Sequence, residues 1–359
     1  MSSRQPRASG YFRTSYAQER ALLQTRLEKR SALAAALMLV ALPFLGSPFV
    51  LDLANQVLLA IVGALALMLL TGFAGQISLG HAGLLAAGAF TTGILFKEAN
   101  APFWVTLPAA AAVGALLGVV FGLPSLRLRG LYLAVSTLAL HFIVVYVGGE
   151  YETRRGFSTG ISIDPPAIGA WTLAEPWQWY GVFAIAAALA LVFTLNLLRS
   201  RTGRAWRALH EREAVAAALG INVHAWKLAA FVVSSAMTAV AGALFAYYRG
   251  FVSVEAFSLF LTIQYVAMVI VGGMGSVLGA VLGAIFVVLF PYLIELLVDV
   301  LPTPPAWQSA VFAINYAAFG LVMILFLVFE PQGLVGIWRR VQNYFVLWPF
   351  KQRPLGGGR

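Results

Sequence analysis

The sequence predicts an all-α, polytopic membrane bundle, and three features carry that prediction. The 359 residues are 60% apolar and 11% charged, with a mean hydropathy of +0.85, well above that of a soluble domain of this length. Ten apolar stretches can each cross a hydrocarbon layer of roughly 30 Å, which takes about 20 helical residues. The basic residues collect in segments that would lie on one face of that layer.

Residues 1-30 are polar and basic, and no small-residue cleavage site follows, so they read as a cytoplasmic N-terminal arm before an uncleaved first span. Within the arm, Tyr16 to Arg30 can form a surface helix, with Leu22, Leu23 and Leu27 on one side and Arg20, Arg26, Lys29 and Arg30 around them. A transmembrane domain is expected over 31-329, with about ten transmembrane helices near 31-50, 53-71, 77-96, 104-123, 131-149, 178-198, 228-248, 259-272, 276-300 and 308-329. The eighth is short and nearly meets the ninth through Gly272, Gly273 and Gly275. An even number of spans puts both termini on one side, with 330-359 as a cytoplasmic C-terminal tail.

Charge chooses that side. The segments 1-30, 124-130, 199-227 and 330-359 hold seven, two, six and five Lys or Arg, so 20 of the 24, and this makes them cytoplasmic. Glu150, Glu152, Asp164, Glu175 and Glu255 fall on the opposite side. The net charge of +10 is thus a topology signal, because the basic residues are not gathered on one folded surface as nucleic-acid binding needs. The absence of cysteine excludes disulfides and thiolate metal sites.

Two polar insertions interrupt the spans. The extracytoplasmic loop 150-177 is rich in Pro, Gly and Trp and reads as an ordered cap. The cytoplasmic loop 199-227 reads as one helix from Gly203 to Gly220, capped by Thr202 and stopped by Gly220 and Asn222. It carries Arg204, Arg207 and Glu211 on one face, with Trp206 and Leu209 on another. Such a helix is either an amphipathic connector resting on the bilayer or a docking surface for a cytoplasmic partner.

The stretch T-G-F-A-G-Q-I-S-L-G-H-A-G, Thr71 to Gly83, breaks two apolar runs. Non-helical backbone at membrane depth survives only under cover of protein or a watery cavity, and closely spaced small residues also serve helix packing. Gly75, Gln76, Ser78, Gly80 and His81 are therefore candidates either for a packing hinge or for lining a translocation path. His141, near the middle of the fifth span, is a further candidate, as are Asn55, Gln56, Asn196, Gln264 and Asn315. Neither histidine has a ligand partner at metal spacing, so no metal site is expected.

No Asp or Glu stands at mid-depth; Glu295 and Asp299 come nearest, close to a span end. Ion-coupled carriers place such groups deep in the bilayer, and no G-x-x-x-x-G-K-[ST] loop is present to hold nucleotide. Energy for active transport would come from another subunit. A self-sufficient carrier or channel rests on His141 and Glu295 alone, and a membrane enzyme would need a polar catalytic cluster that is not visible.

Seven segments in order resemble the LivM-type permease subunits of branched-chain amino-acid ABC transporters. They are G-F-A-G-Q-I-S-L-G-H-A-G (72-83), G-L-P-S-L-R-L-R-G-L-Y-L-A (122-134), G-R-A-W-R-A-L-H-E-R-E-A-V-A-A-A-L-G-I-N (203-222), K-L-A-A-F-V-V-S-S (227-235), A-G-A-L-F-A (241-246), V-G-G-M-G-S-V-L-G (271-279) and P-Q-G-L-V-G (331-336). The resemblance implies an inner-membrane permease without cofactors or covalent chemistry. Its implied partners are a sister permease subunit, two cytoplasmic ATPase subunits and an extracytoplasmic substrate-binding protein. It also implies that the 203-220 helix couples to an ATPase, with Arg204, Arg207, Glu211, Glu213 and Gly220 as coupling residues. The general signature expects Glu-Ala-Ala and a glycine six residues after the Glu. Here Glu213 precedes Ala214 and Val215, and Gly220 is seven away. Relatives commonly place a small residue and Glu where this chain has Leu140, His141 and Phe142. Branched-chain or other hydrophobic amino acids are the implied cargo, in a family that also carries urea, amides and aromatic acids.

Overall fold

The structure, a computed structural model, describes residues 26–126, 128, 130–157, 160–168, 171–300 and 311–347. Most of the surface helix expected over Tyr16 to Arg30 lies outside these residues, as does the tail beyond 347.

Helix α1 (Arg26–Leu45) stops at Gly46, and Ser47 caps α2 (Pro48–Leu67), its hydroxyl accepting from the Val50 N–H at 3.4 Å. Proline suits the first helical position because its missing N–H has no partner there. The first two helices therefore divide at 46-47, five residues before the expected boundary. Helix α2 runs on as a π turn (Met68–Phe73), and after the break come α3 (His81–Ala99), α4 (Phe103–Ser125) and α5 (Leu131–Arg155). Three two-residue strands follow, β1 (Ile161–Ser162), β2 (Ala167–Ile168) and β3 (Trp171–Thr172), then α6 (Pro176–Arg199) with a Glu175/Gln178 capping box.

Two helices, α7 (Arg201–Glu211) and α8 (Glu213–Ala218), stand where one was expected. Arg212 adopts φ −158°, ψ 108°, an extended conformation that ends the first and opens the second. Ser200, not Thr202, caps α7, its hydroxyl accepting from Thr202 N–H at 3.2 Å. Asn222 caps the next helix, α9 (Val223–Arg249), by accepting from Ala225 N–H, rather than stopping α8. The chain continues through β4 (Phe251–Val252), a 3-10 turn (Val254–Phe257), α10 (Leu259–Gly272), α11 (Val277–Val300), α12 (Val311–Phe329) and α13 (Gly333–Leu347). The strands pair antiparallel as β1 with β4, Ile161 opposite Val252, and β2 with β3.

A helix occupies each expected span position, yet among the described residues only six are long and apolar enough to cross a membrane. These are α2 with its π turn, α4, α5, α6, α9 and α11; α12 and α13, bent by 55°, make a seventh if read as one span. Helix α10 is 14 residues long, and α3 carries His81, Lys97 and Glu98. Both bury much of their surface in the bundle, where protein takes the place of lipid.

Burial separates the centre from the rim. The most apolar window of α2 is 83% buried and that of α9 is 56%, against 22% to 33% for α4, α5, α6 and α11. Helix α9 packs on α2, α3 and α4, while α2 also touches α6, α10 and α11. The α3–α9 crossing is backbone on backbone: a Cβ at Gly88 would overlap the Ala239 carbonyl, and one at Gly242 the Leu85 carbonyl. Small residues at a membrane-helix crossing permit this approach. Exposed Leu37, Met38, Phe44, Leu189 and Phe329 give the rim its apolar surface.

Candidate functional site

The polar break after α2 sits at the end of the bundle that bears the basic 199-227 segment. Gly75 turns the chain at φ +70°, which favours glycine. Residues 75 to 80 then run without helix, burying Gln76, Ser78 and Gly80 alternately while Gly75 and Ile77 stay exposed. The freed backbone is satisfied from neighbouring helices: Leu79 N–H donates to the Thr137 hydroxyl at 2.8 Å and Ala82 N–H to the Thr262 hydroxyl at 3.0 Å. The Ser78 hydroxyl accepts from Gly80 N–H at 3.4 Å.

The six residues singled out for a path take structural places here. Gln76 Nε2 donates to the Lys227 carbonyl at 3.0 Å. Gly80 lies against the Thr137 carbonyl, and Gly83 against Cα of His141, so the N-terminal end of α3 is seated on α5. His81 is 1% exposed, with Nδ1 3.5 Å from the Thr238 hydroxyl and its ring centred 4.7 Å from that of Tyr265. His141, 2% exposed, packs at the α3–α5 contact.

Other glycine-bearing motifs converge on the same end. Gly275 N–H points at Met68 Sδ, 3.3 Å away, and a Cβ at Gly72 would come within 2.7 Å of Gly275 N. A Cβ on Gly333 would come within 2.6 Å of Gly273 N. The segments 72-83, 271-279 and 331-336, far apart in sequence, are thus one packed unit.

Helices α7 and α8 lie beside the break, with α7 against α6, α9 and the π turn and α8 against α9. Trp206, fully buried, donates its indole N–H to the Trp226 carbonyl at 2.9 Å, and Leu209 is buried beside it. Arg204 and Arg207 donate to the carbonyls of Arg199 and Leu198 at 3.1 and 2.7 Å, tying α7 to the end of α6. Arg204, Arg207 and Glu211 are exposed on one side, as are Val215 and Leu219 on the following turn. Glu213 forms an ion pair with Lys227, whose side chain is 10% exposed. Gly220 ends the unit at φ +80°, open to its surroundings. A Cβ on Gly75 would come within 2.7 Å of His210 Nδ1, so α7 rests on the turn of the break.

Toward the opposite end, a cavity of about 210 Å³ opens between α2, α3, α9, α10 and α11. Gln56, Tyr248, Arg249 and Gln264 supply its polar wall, with Tyr265 nearer the basic end. The Asp52 carboxylate accepts from the Tyr248 hydroxyl and from Gln56 Nε2, the latter at 2.8 Å. The Arg249 guanidinium stands 5.7 Å from the centre of the Phe245 ring. Gln56 and Gln264 belong to the wider set of polar residues noted in the sequence. Asp52, Tyr248 and Arg249 do not. Their signal was the four-residue spacing of Asp52 and Gln56 on one helix face and the Tyr-Tyr-Arg ending of α9.

The family model described as "Branched-chain amino acid transport system / permease component" matches residues 49–327. The chain is 36% identical over 275 residues to the high-affinity branched-chain amino acid transport system permease protein LivM of Salmonella typhimurium, covering 69% of this chain and 64% of the relative. It is 35% identical over 275 residues to the Escherichia coli protein of that name, with the same coverage. A probable branched-chain amino acid transport permease protein LivM of Methanocaldococcus jannaschii is 28% identical over 236 residues, covering 63% of this chain and 66% of the relative. The match thus spans about two thirds of the length of these curated relatives. No solved structure matches the chain. With several helices apolar enough to cross a membrane, this is a multi-pass membrane protein, and it belongs to the family of branched-chain amino acid transport system permease components.

Proposed function

We propose that the chain is one permease of an inner-membrane ABC importer, forming half of the translocation path for branched-chain or other hydrophobic amino acids and performing no covalent chemistry. Two ATPase subunits dock at the basic, cytoplasmic end, a sister permease completes the path, and a binding protein delivers cargo at the opposite face. The 1-30 arm and the 330-359 tail are on the cytoplasmic side.

One observation carries this reading. The apolar face of α7 is buried against the protein itself through Trp206 and Leu209, so the segment does not need lipid to cover it. What remains outward is a mixed surface of Arg204, Arg207, Glu211, Val215 and Leu219, and this favours a protein partner over a bilayer connector. Behind that surface, contacts lead inward: Glu213 to Lys227, the Lys227 carbonyl to Gln76, and His210 to Gly75. A push on α7 and α8 therefore reaches the break between α2 and α3, as rigid-body switching of access requires.

The test is the double variant Arg207→Ala, Glu211→Ala in the assembled transporter. ATP hydrolysis is expected to lose its stimulation by loaded binding protein and uptake to stop, with the chain still inserted. Unchanged uptake and unchanged stimulation would remove the coupling assignment.

A further inference from the structure

We propose that the cavity between α2, α3, α9, α10 and α11 is a holding site for one zwitterionic α-amino acid with an aliphatic side chain. This deepens the permease reading above and rests on it. At about 210 Å³ the space falls below the roughly 300 Å³ at which pockets for drug-sized ligands begin, which suits a single small solute.

A zwitterion leaving water needs both of its charges met. Two opposite charges flank Tyr248: Arg249, which lines the cavity, and Asp52, which stands behind the lining residues Gln56 and Tyr248. The Asp52 carboxylate accepts from the Tyr248 hydroxyl and from Gln56, and among the described residues no cation pairs with it. Arg249, the next residue along α9, is exposed where it lines the cavity; its guanidinium makes no hydrogen bond or ion pair among the described residues and stands over the Phe245 ring. The two do not pair with each other. An α-carboxylate on Arg249 and an α-ammonium directed toward Asp52 and Gln56 would complete both. A ligand without the ammonium would leave Asp52 without a cation, and one without the carboxylate would leave Arg249 to solvent.

The remaining wall is apolar, with Leu59, Leu261, Met268 and Val288 facing the space, and methionine adapts to side chains of differing branching. Tyr265 closes the cavity toward the basic end, and its ring packs on His81, which begins α3 directly after the break. Cargo held here stands one aromatic layer from the segment that α7 contacts, so movement of the break would open the floor.

The chain has no cysteine, so Leu261→Cys places one thiol in the cavity of the assembled transporter in proteoliposomes. With binding protein and ATP present, leucine is expected to slow modification of that thiol by a methanethiosulfonate reagent, while leucinamide and 4-methylpentanoate do not. Leu189→Cys, on the exposed rim, is expected to react at one rate throughout. Arg249→Gln is expected to lower leucine uptake by at least about tenfold, by removing the cation that would meet the α-carboxylate, with Arg249→Lys restoring part of it. Leucine uptake by the wild type, combined with an unprotected Leu261→Cys thiol or full uptake by Arg249→Gln, would overturn the site and leave the permease reading standing. A wild-type complex that moves another solute and no amino acid would overturn both.

Discussion

At the basic end of the bundle backbone lies on backbone, with Gly72 against Gly275 and Gly333 against Gly273, whereas at the opposite end long side chains hold α2, α9 and α10 apart around a cavity. The first region has almost no room for a substituted atom. The second has room for a solute. The difference teaches where this protein tolerates change: the close-packed end specifies geometry, and the open end is free to specify chemistry.

Enlarging residues at backbone-on-backbone contacts and in the cavity is the most direct way to break that contrast. Gly242→Leu, driven into the Leu85 carbonyl, should cost more than about 3 kcal/mol and abolish the yield of monodisperse protein in detergent. Normal yield would mean that the α3–α9 contact is softer than described. Next in size, Gly75→Val combines a β-branched side chain at positive φ with a clash against His210 and should lower the thermal midpoint by an amount equivalent to about 1–3 kcal/mol. Gln76→Leu leaves the buried Lys227 carbonyl without its donor, an expected loss of about 1–3 kcal/mol, together with reduced coupling of ATP hydrolysis to uptake. Leu261→Phe, in the cavity, should alter stability by less than about 1.5 kcal/mol while reducing uptake of the larger aliphatic amino acids. Arg154→Ala, which removes a surface pair with Glu150 whose members are 77% and 41% exposed, should change the midpoint by less than the equivalent of about 0.5 kcal/mol.

The helical architecture was legible because apolar length is written locally: each run of about twenty apolar residues asks for a helix whatever surrounds it. Which helices face lipid was not, since the segments of α3 and α10 count as spans with the rest in sequence and lie against the centre of the fold. The break at Thr71 to Gly83 was readable from its glycines and polar side chains. Its cover, supplied by Thr137, Lys227 and Thr262 from three other helices, depends on contacts across 58 to 180 residues. The division of α7 from α8 at Arg212 was hidden because arginine is a good helix former and nothing local marks the stop. Asp52 escaped notice as a connector residue between two spans. Only the arrival of Tyr248, 196 positions later, gives it a setting.

The mutual seating of Gly88 and Gly242 has a mechanical corollary. A joint without side chains between its members has no cushion to compress and no rotamers to rearrange, so α3 and α9 should travel as a single plank. Whatever stroke an attached motor delivers must be absorbed at the plank's ends, at 74-80 before α3 and at 219-222 before α9. Those two short seams are where a wedged small molecule would stall the machine.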